Sequence, residues 1–253
     1  MVKKTVFACM KLFRWPFAVL GPLLLLSFIR ANRHPLIIRF QNEVGNRPLS
    51  LSTESYTNRF GESFTIRQFK YYVSNIQIIG KDGEQLLLDE PHLVDQGDSS
   101  SLILHLSSNI SGIQSIRFAV GVDSLANVSG VQTGDLDPML GMFWTWNTGY
   151  INARLEGESD SAHAPAHRFT WDIGGYKGNR NTFRFITLAL PERSLPEHNE
   201  QSRDSLLCIR ADLLQWFDGS RPIRITQAPI CHEPGPLAMQ IADNYSTMFS
   251  VCR

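Results

Sequence analysis

The sequence has no surplus of charge: 24 Lys and Arg stand against 24 Asp and Glu, with seven His counted as neutral. An electrostatic clamp on nucleic acid needs a clustered basic surface, so that class is set aside. Familiar catalytic signatures are missing too. No G-x-S-x-G elbow, P-loop, H-E-x-x-H or dinucleotide fingerprint occurs, and no nucleophile–base pair stands out. The protein is therefore expected to be no enzyme. Cysteine is scarce, with four residues and no C-x-x-C motif, which leaves thiolate zinc sites and thioredoxin-type redox chemistry without support. There is no internal repeat and no low-complexity tract. Disorder is excluded in turn by the 43% hydrophobic content.

What is present begins with a leader. Lys3, Lys4, Lys11 and Arg14 precede a stretch from Trp15 to Ile29 that holds no charge, and Arg30 ends it. A positive flank before an apolar core is the pattern of a secretory signal, and the stretch is shorter than the about 20 residues a membrane span needs. No small-x-small cleavage site stands near Arg30-Ala31. Residues 1–31 thus read as a signal peptide or an uncleaved signal anchor, and residues 36–253 as one exported domain, periplasmic or extracellular. The only membrane contact expected is through that N-terminus. Beyond the leader's Cys9, Cys208, Cys231 and Cys252 leave an odd count. One disulfide with a free thiol and three free thiols both fit, and Cys231–Cys252 is the first pair to test.

Strand signals dominate the domain. Leu36–Phe40, Ser101–Leu106, Ser115–Val120, Gly149–Glu156, Arg168–Ile173, Thr182–Leu188 and Ile223–Ile225 are short and rich in β formers. Phe64–Ile79 is a longer one with a bend expected near Lys70, and Lys81-Asp-Gly-Glu84 turns it back into Gln85–Leu88 as a hairpin. Arg117 between Ile116 and Phe118, and Arg184 between Phe183 and Phe185, give one face to the core and one to water. The fold class is all-β: an antiparallel sandwich with a few short helices. Arg210–Phe217 and Leu237–Asn244 read as those helices, the second opened by Pro236. Ser159–His167 and Pro191–Ser205 read as polar loops. The sequons at Asn109, Asn127 and Asn244 carry little weight.

Two groups of residues remain for function. The first is the histidines: His92 just past the hairpin, His105 within a strand pattern, the pair His163 and His167 in a loop, and His34, His198 and His232 in exposed-looking context. A single His is more often a surface or satisfied core residue than a ligand, and Pro165 breaks the helical spacing of His163 and His167. The second is the aromatic block Gly141-Met-Phe-Trp-Thr-Trp-Asn-Thr-Gly-Tyr150. In a strand, Trp144 and Trp146 share a side, as core residues of a sandwich would. Core packing does not account for Gly121–Gly130 and Gly134–Pro138 before it, whose Gly, Asp and Asn punctuation reads as a long ordered loop with Asx turns.

These segments resemble the MbnP-like copper-binding family. The match runs in order from about Ile38: Phe40-Gln-Asn42, Phe69-Lys-Tyr-Tyr-Val-Ser-Asn75, His92-Leu-Val-Asp95, Gly121-Val-Asp-Ser124, Asn127 with Gly130, Gly134-Asp-Leu-Asp-Pro138, the Trp block through Leu155-Glu-Gly157, Ile173-Gly-Gly-Tyr176 and Ala242-Asp-Asn-Tyr245. The resemblance implies an exported β-sandwich that binds copper. It also implies a tryptophan, Trp144 or Trp146 by position, oxidised to kynurenine by a dihaem cytochrome c peroxidase-like partner of the MbnH or MauG kind. Carried over residue by residue, His92 is the leading copper ligand. Asp172 stands directly before Ile-Gly-Gly, where many members of the family it resembles carry His; a carboxylate there is a poorer partner for copper(I). His163 or His167 could compensate. The alternative is a metal-free structural or binding module of the cell envelope that kept the scaffold and lost the site.

Overall fold

Alternation of side chains sets the first strand. In the computed structural model, which describes residues 34–110, 112–146, 149–190 and 205–252, β1 (His34–Val44) buries Leu36, Ile38 and Phe40 and leaves Arg39 and Gln41 to solvent. β2 (Arg47–Pro48) and β3 (Ser55–Thr57) are short edge pieces. The long strand β4 (Ser63–Gly80) is the spine of the second sheet. Tyr71 lies between Val94 of β6 (His92–Asp95) and Ala153 of β10 (Gly149–Glu158), and Ile78 lies between Leu86 of β5 (Gln85–Leu88) and Ile116 of β8 (Ile113–Val120). The bend falls at Asn75, whose φ is +50° and where the register slips between Ser74 and Gln77, several residues beyond the expected Lys70.

The first sheet runs β15 (Phe249–Val251), β13 (Ser205–Asp212), β1, β2, with β7 (Ile103–Ser108) also on β1. The second runs β12 (Arg184–Ala189), β8, β4, β10, β11 (Arg168–Gly174), β14 (Ile230–Cys231), with β9 (Phe143–Trp144) on β10. The architecture is the expected strand-rich sandwich, but its sheets are mixed: β1 pairs parallel with β13, and β11 parallel with β14. The main core lies between the sheets. Ile38, Phe40 and Ile209 meet Phe69, Tyr71, Phe118 and Trp171, and Trp216 stacks on Trp171 at 6.3 Å.

Three local expectations are corrected. Ile223–Ile225 is no strand: both isoleucines are buried, but the Ile225 and Thr226 amides donate to the Glu62 carboxylate, at 2.8 and 3.0 Å, rather than to a neighbouring strand. Arg210–Phe217 is no two-turn helix. Its first residues finish β13, where Arg210 is flanked by Gln41 and Ser250, and only α2 (Gln215–Asp218) is helical; strand partners on both sides outweigh helix propensity. The disulfide joins Cys208 to Cys252, tying β13 to the chain end, while Cys231 is a buried free thiol. The helix after Pro236 forms as α3 (Pro236–Tyr245). Asn127 and Asn244, the sequon residues, are both buried and used as internal hydrogen-bonding groups.

Candidate functional site: an aromatic cleft on the outer face of the second sheet

The segment from Gly121 to Trp146 folds over the face of the second sheet that points away from the main core. It closes a small second core of Tyr72, Leu93, Val122, Leu136, Met142, Trp144, Tyr150 and Ile151. Asx chemistry shapes it, as its composition suggests. The Asp123 carboxylate accepts from Ala126 N at 2.8 Å and caps α1 (Ser124–Val128), and Asp137 accepts from Met139 N at 2.8 Å. Two tyrosines anchor the loop to the sheet: Tyr72 donates to the Asp135 carbonyl and Tyr150 to the Leu136 carbonyl, each at 2.9 Å. Asn127 accepts from Tyr150 N at 2.9 Å and donates to the Val122 carbonyl at 2.8 Å. Gly121 has a φ of +119°, and a Cβ there would meet the Asn152 amide at 2.5 Å, so the loop starts where only glycine fits.

The two tryptophans part company. Trp144 ends β9 and is 5% exposed, its ring lying on Gly174, where a Cβ would meet it at 2.7 Å. That contact explains the glycine at 174, while Gly175, with a φ of +122°, is held by the close approach of the Arg180 carbonyl. Trp146 sits in the turn beyond the strand and is 61% exposed, with its ring 5.5 Å from that of Trp144. They do not share a strand face, because β9 stops at Trp144. Covering the Trp146 ring would gain about 3 kcal/mol of apolar burial. The pair forms one wall of a cleft of about 330 Å³ whose other sides are Tyr176, Lys177, Arg180, Glu233 and Pro234. A neighbouring hollow is bounded by Trp144, Trp146, Asp172, His232 and Glu233.

The expected ligands do not converge. His92 has both ring nitrogens engaged: Nδ1 lies 3.0 Å from Asp135 Oδ2 and Nε2 lies 2.8 Å from the Ser101 carbonyl. The His92 hydrogen bond holds the Asp135 carboxyl below its ordinary range against partial burial, with help from Leu93 N. Asp172 takes a fork from Arg154, Nε to Oδ1 at 2.5 Å and Nη2 to Oδ2 at 2.9 Å. Burial disfavours the guanidinium charge, but Asp172 and then Glu156 outweigh it and raise the Arg154 pKa. Directly paired residues share a sheet face. His92 opposes Val73, on the main-core face with Tyr71, whereas Asp172 opposes Arg154, which opposes Lys70 on the outer face. Three strand spacings, about 14 Å, also separate them. His163 and His167 are exposed in the loop joining β10 to β11, near the Glu158–Arg168 pair and four rungs, about 13 Å, from the Arg154–Asp172 pair.

His232 is the residue sequence reasoning passed over. Parallel pairing sets Ile230 beside Thr170 and Cys231 beside Trp171, so His232 follows in register with Asp172 at the edge of the Trp hollow. Only a distant strand pairing produces this, and no local pattern announces it. His232 and Glu233 are both exposed. Burial pushes the neighbouring Cys231 thiol up to about 11, so it stays protonated. Among the described residues, no group of three or more His, Cys, Asp or Glu is placed to hold a metal ion.

Fold and cleft together define a class: a mixed-sheet β-sandwich whose ordered loop presents a tryptophan pair on one outer face. The MbnP family model matches residues 33–233, and the chain belongs to the MbnP family. A solved structure, MbnP from Methylosinus trichosporium, is similar with a TM-score of 0.58 at 12% identity, over 87% of this chain and 98% of that one. That likeness is one of fold. No curated protein matches in sequence.

Proposed function

We propose that the protein is an exported copper-binding member of the MbnP family with no turnover of its own, its copper held at the rim of the Trp144–Trp146 cleft. The observation that carries this reading is the parallel pairing of β14 with β11, which brings an accessible imidazole and carboxylate, His232 and Glu233, beside the tryptophan pair. The donor chemistry suits copper, since imidazole and carboxylate together serve copper(II). The geometry is that of an open site: two free donors, with Asp172 held by Arg154. His92, His163 and His167 serve other places in the fold.

Bound copper would supply affinity for nitrogen donors and a one-electron couple. The chain's own part is to hold the site open and electrically balanced. Arg154 keeps the Asp172 charge neutralised at the floor, and Gly174 lets Trp144 pack tightly there. Oxidation by a dihaem partner would reach Trp146 first, because its ring is open to solvent and that of Trp144 is covered. Export rests on the leader, whose residues lie outside the described ones; no described helix is long and apolar enough to cross a membrane.

Copper titration of the purified chain tests the proposal. Binding is expected to weaken by about tenfold or more in His232→Ala and to persist in His92→Ala. Intact mass of protein from its native host should show one indole carbon replaced by oxygen if Trp146 is converted. Binding no better than micromolar, indifferent to His232, would sink the copper reading. It would favour the second one, a metal-free envelope module, which the Arg154–Asp172 ion pair in place of a free ligand already supports.

A further inference from the structure

We infer that the cleft between Trp146 and Tyr176 is a binding site for a small planar aromatic anion, recognised without any metal. The wall is a rigid, largely solvent-facing indole backed by a second one. The space, about 330 Å³, is of the size that takes a ligand of one or two rings. Charge decides the sign of the ligand. Lys177 and Arg180 stand at the rim, and neither has an ion-pair partner among the described residues. Lys177 Nζ is 5.0 Å from the centre of the Tyr176 ring, which draws the ammonium toward the aromatic wall. Against these two cations the cleft sets one acid, Glu233, since the nearby Asp172 is neutralised by Arg154. The balance favours a carboxylate or phenolate, and a guanidinium can grip a carboxylate through two parallel hydrogen bonds. A flat ring on Trp146 with its anionic group toward Lys177 and Arg180 satisfies both halves of the cleft at once.

This goes beyond the copper reading and does not depend on it. The test is calorimetric titration of the full chain in chelator with 2-naphthoate, its neutral amide and 2-naphthylmethylammonium. The expected result is saturable binding of the anion, tighter than the neutral analogue by about tenfold. Lys177→Glu combined with Arg180→Glu should remove that preference, Trp146→Ala should abolish binding, and His232→Ala, which removes the copper donor, should leave it unchanged. A thermal melt identifies any variant that has lost its fold; the Lys177 and Arg180 changes lie on exposed side chains and keep the test standing if Trp146→Ala unfolds. Equal affinity for the three probes, preference for the ammonium, loss in His232→Ala, or no saturable heat overturns the inference.

Discussion

Replacing Asp172 by Asn separates an ion-pair role from a metal-ligand role, because the two make different demands. Arg154 and Asp172 have side chains only 15% and 11% exposed, so solvent screens the pair weakly. Removing one partner of a buried pair leaves the other charge uncompensated, at a cost of about 3–5 kcal/mol. Glu156 lies 3.3 Å from Arg154 Nε and would take up part of the charge, though burial raises its own carboxyl pKa. The net loss for Asp172→Asn is therefore about 2–3 kcal/mol, or roughly 5–10 °C in Tm for a domain of this size. The measurement is reversible urea unfolding in chelator, so that no bound metal contributes. Arg154→Met with Asp172→Leu should cost less than Asp172→Asn alone, with a coupling of about 2 kcal/mol in the completed cycle. Asp172→Asn within about 0.5 kcal/mol of the parent protein would refute the ion-pair account.

Further outcomes follow from the cysteines and from the His92–Asp135 contact. Non-reducing peptide mapping should find Cys208 joined to Cys252, a separation of 44 residues; Cys208→Ser should cost about 4 kcal/mol by loop entropy, while Cys231 should resist alkylation until the protein unfolds. Asp135 has a depressed carboxyl pKa, so its stabilising contribution is present above the unfolded value of about 3.9 and is lost as pH falls through the folded one. The difference in urea midpoint between the parent and Asp135→Asn should shrink at pH 3; an equal gap at pH 3 and pH 7 would contradict the His92–Asp135 link.

The sequence made the strands legible where side chains alternate against one core. β1, β8 and β11 lie where Leu36–Phe40, Ser115–Val120 and Arg168–Ile173 place them. Turn chemistry located the β4–β5 hairpin, and the Gly, Asp and Asn punctuation revealed the ordered loop. What stayed hidden was set at long range. The end of β13 looked helical because Leu, Ala and Gln formers stand there, and its pairing with β1 on one side and β15 on the other makes it a strand. The Trp-x-Trp spacing suggested a common face, but β9 ends between the two residues. Resemblance placed His92 among the ligands. Its two hydrogen bonds, to Asp135 and to the Ser101 carbonyl, arise from segments that no local pattern joins to it.

The parallel pairing of β1 with β13 also bears on how the molecule comes into being. Ile38, near the start of the domain, has Leu207, near its end, as one neighbour across the ladder. The first sheet therefore cannot close until almost the whole chain is available, and the Cys208–Cys252 bond can form only after that. Such non-local closure is slow. It leaves one edge of β1 open, with β2 and β7 able to pair along the other, until β13 arrives to cover it.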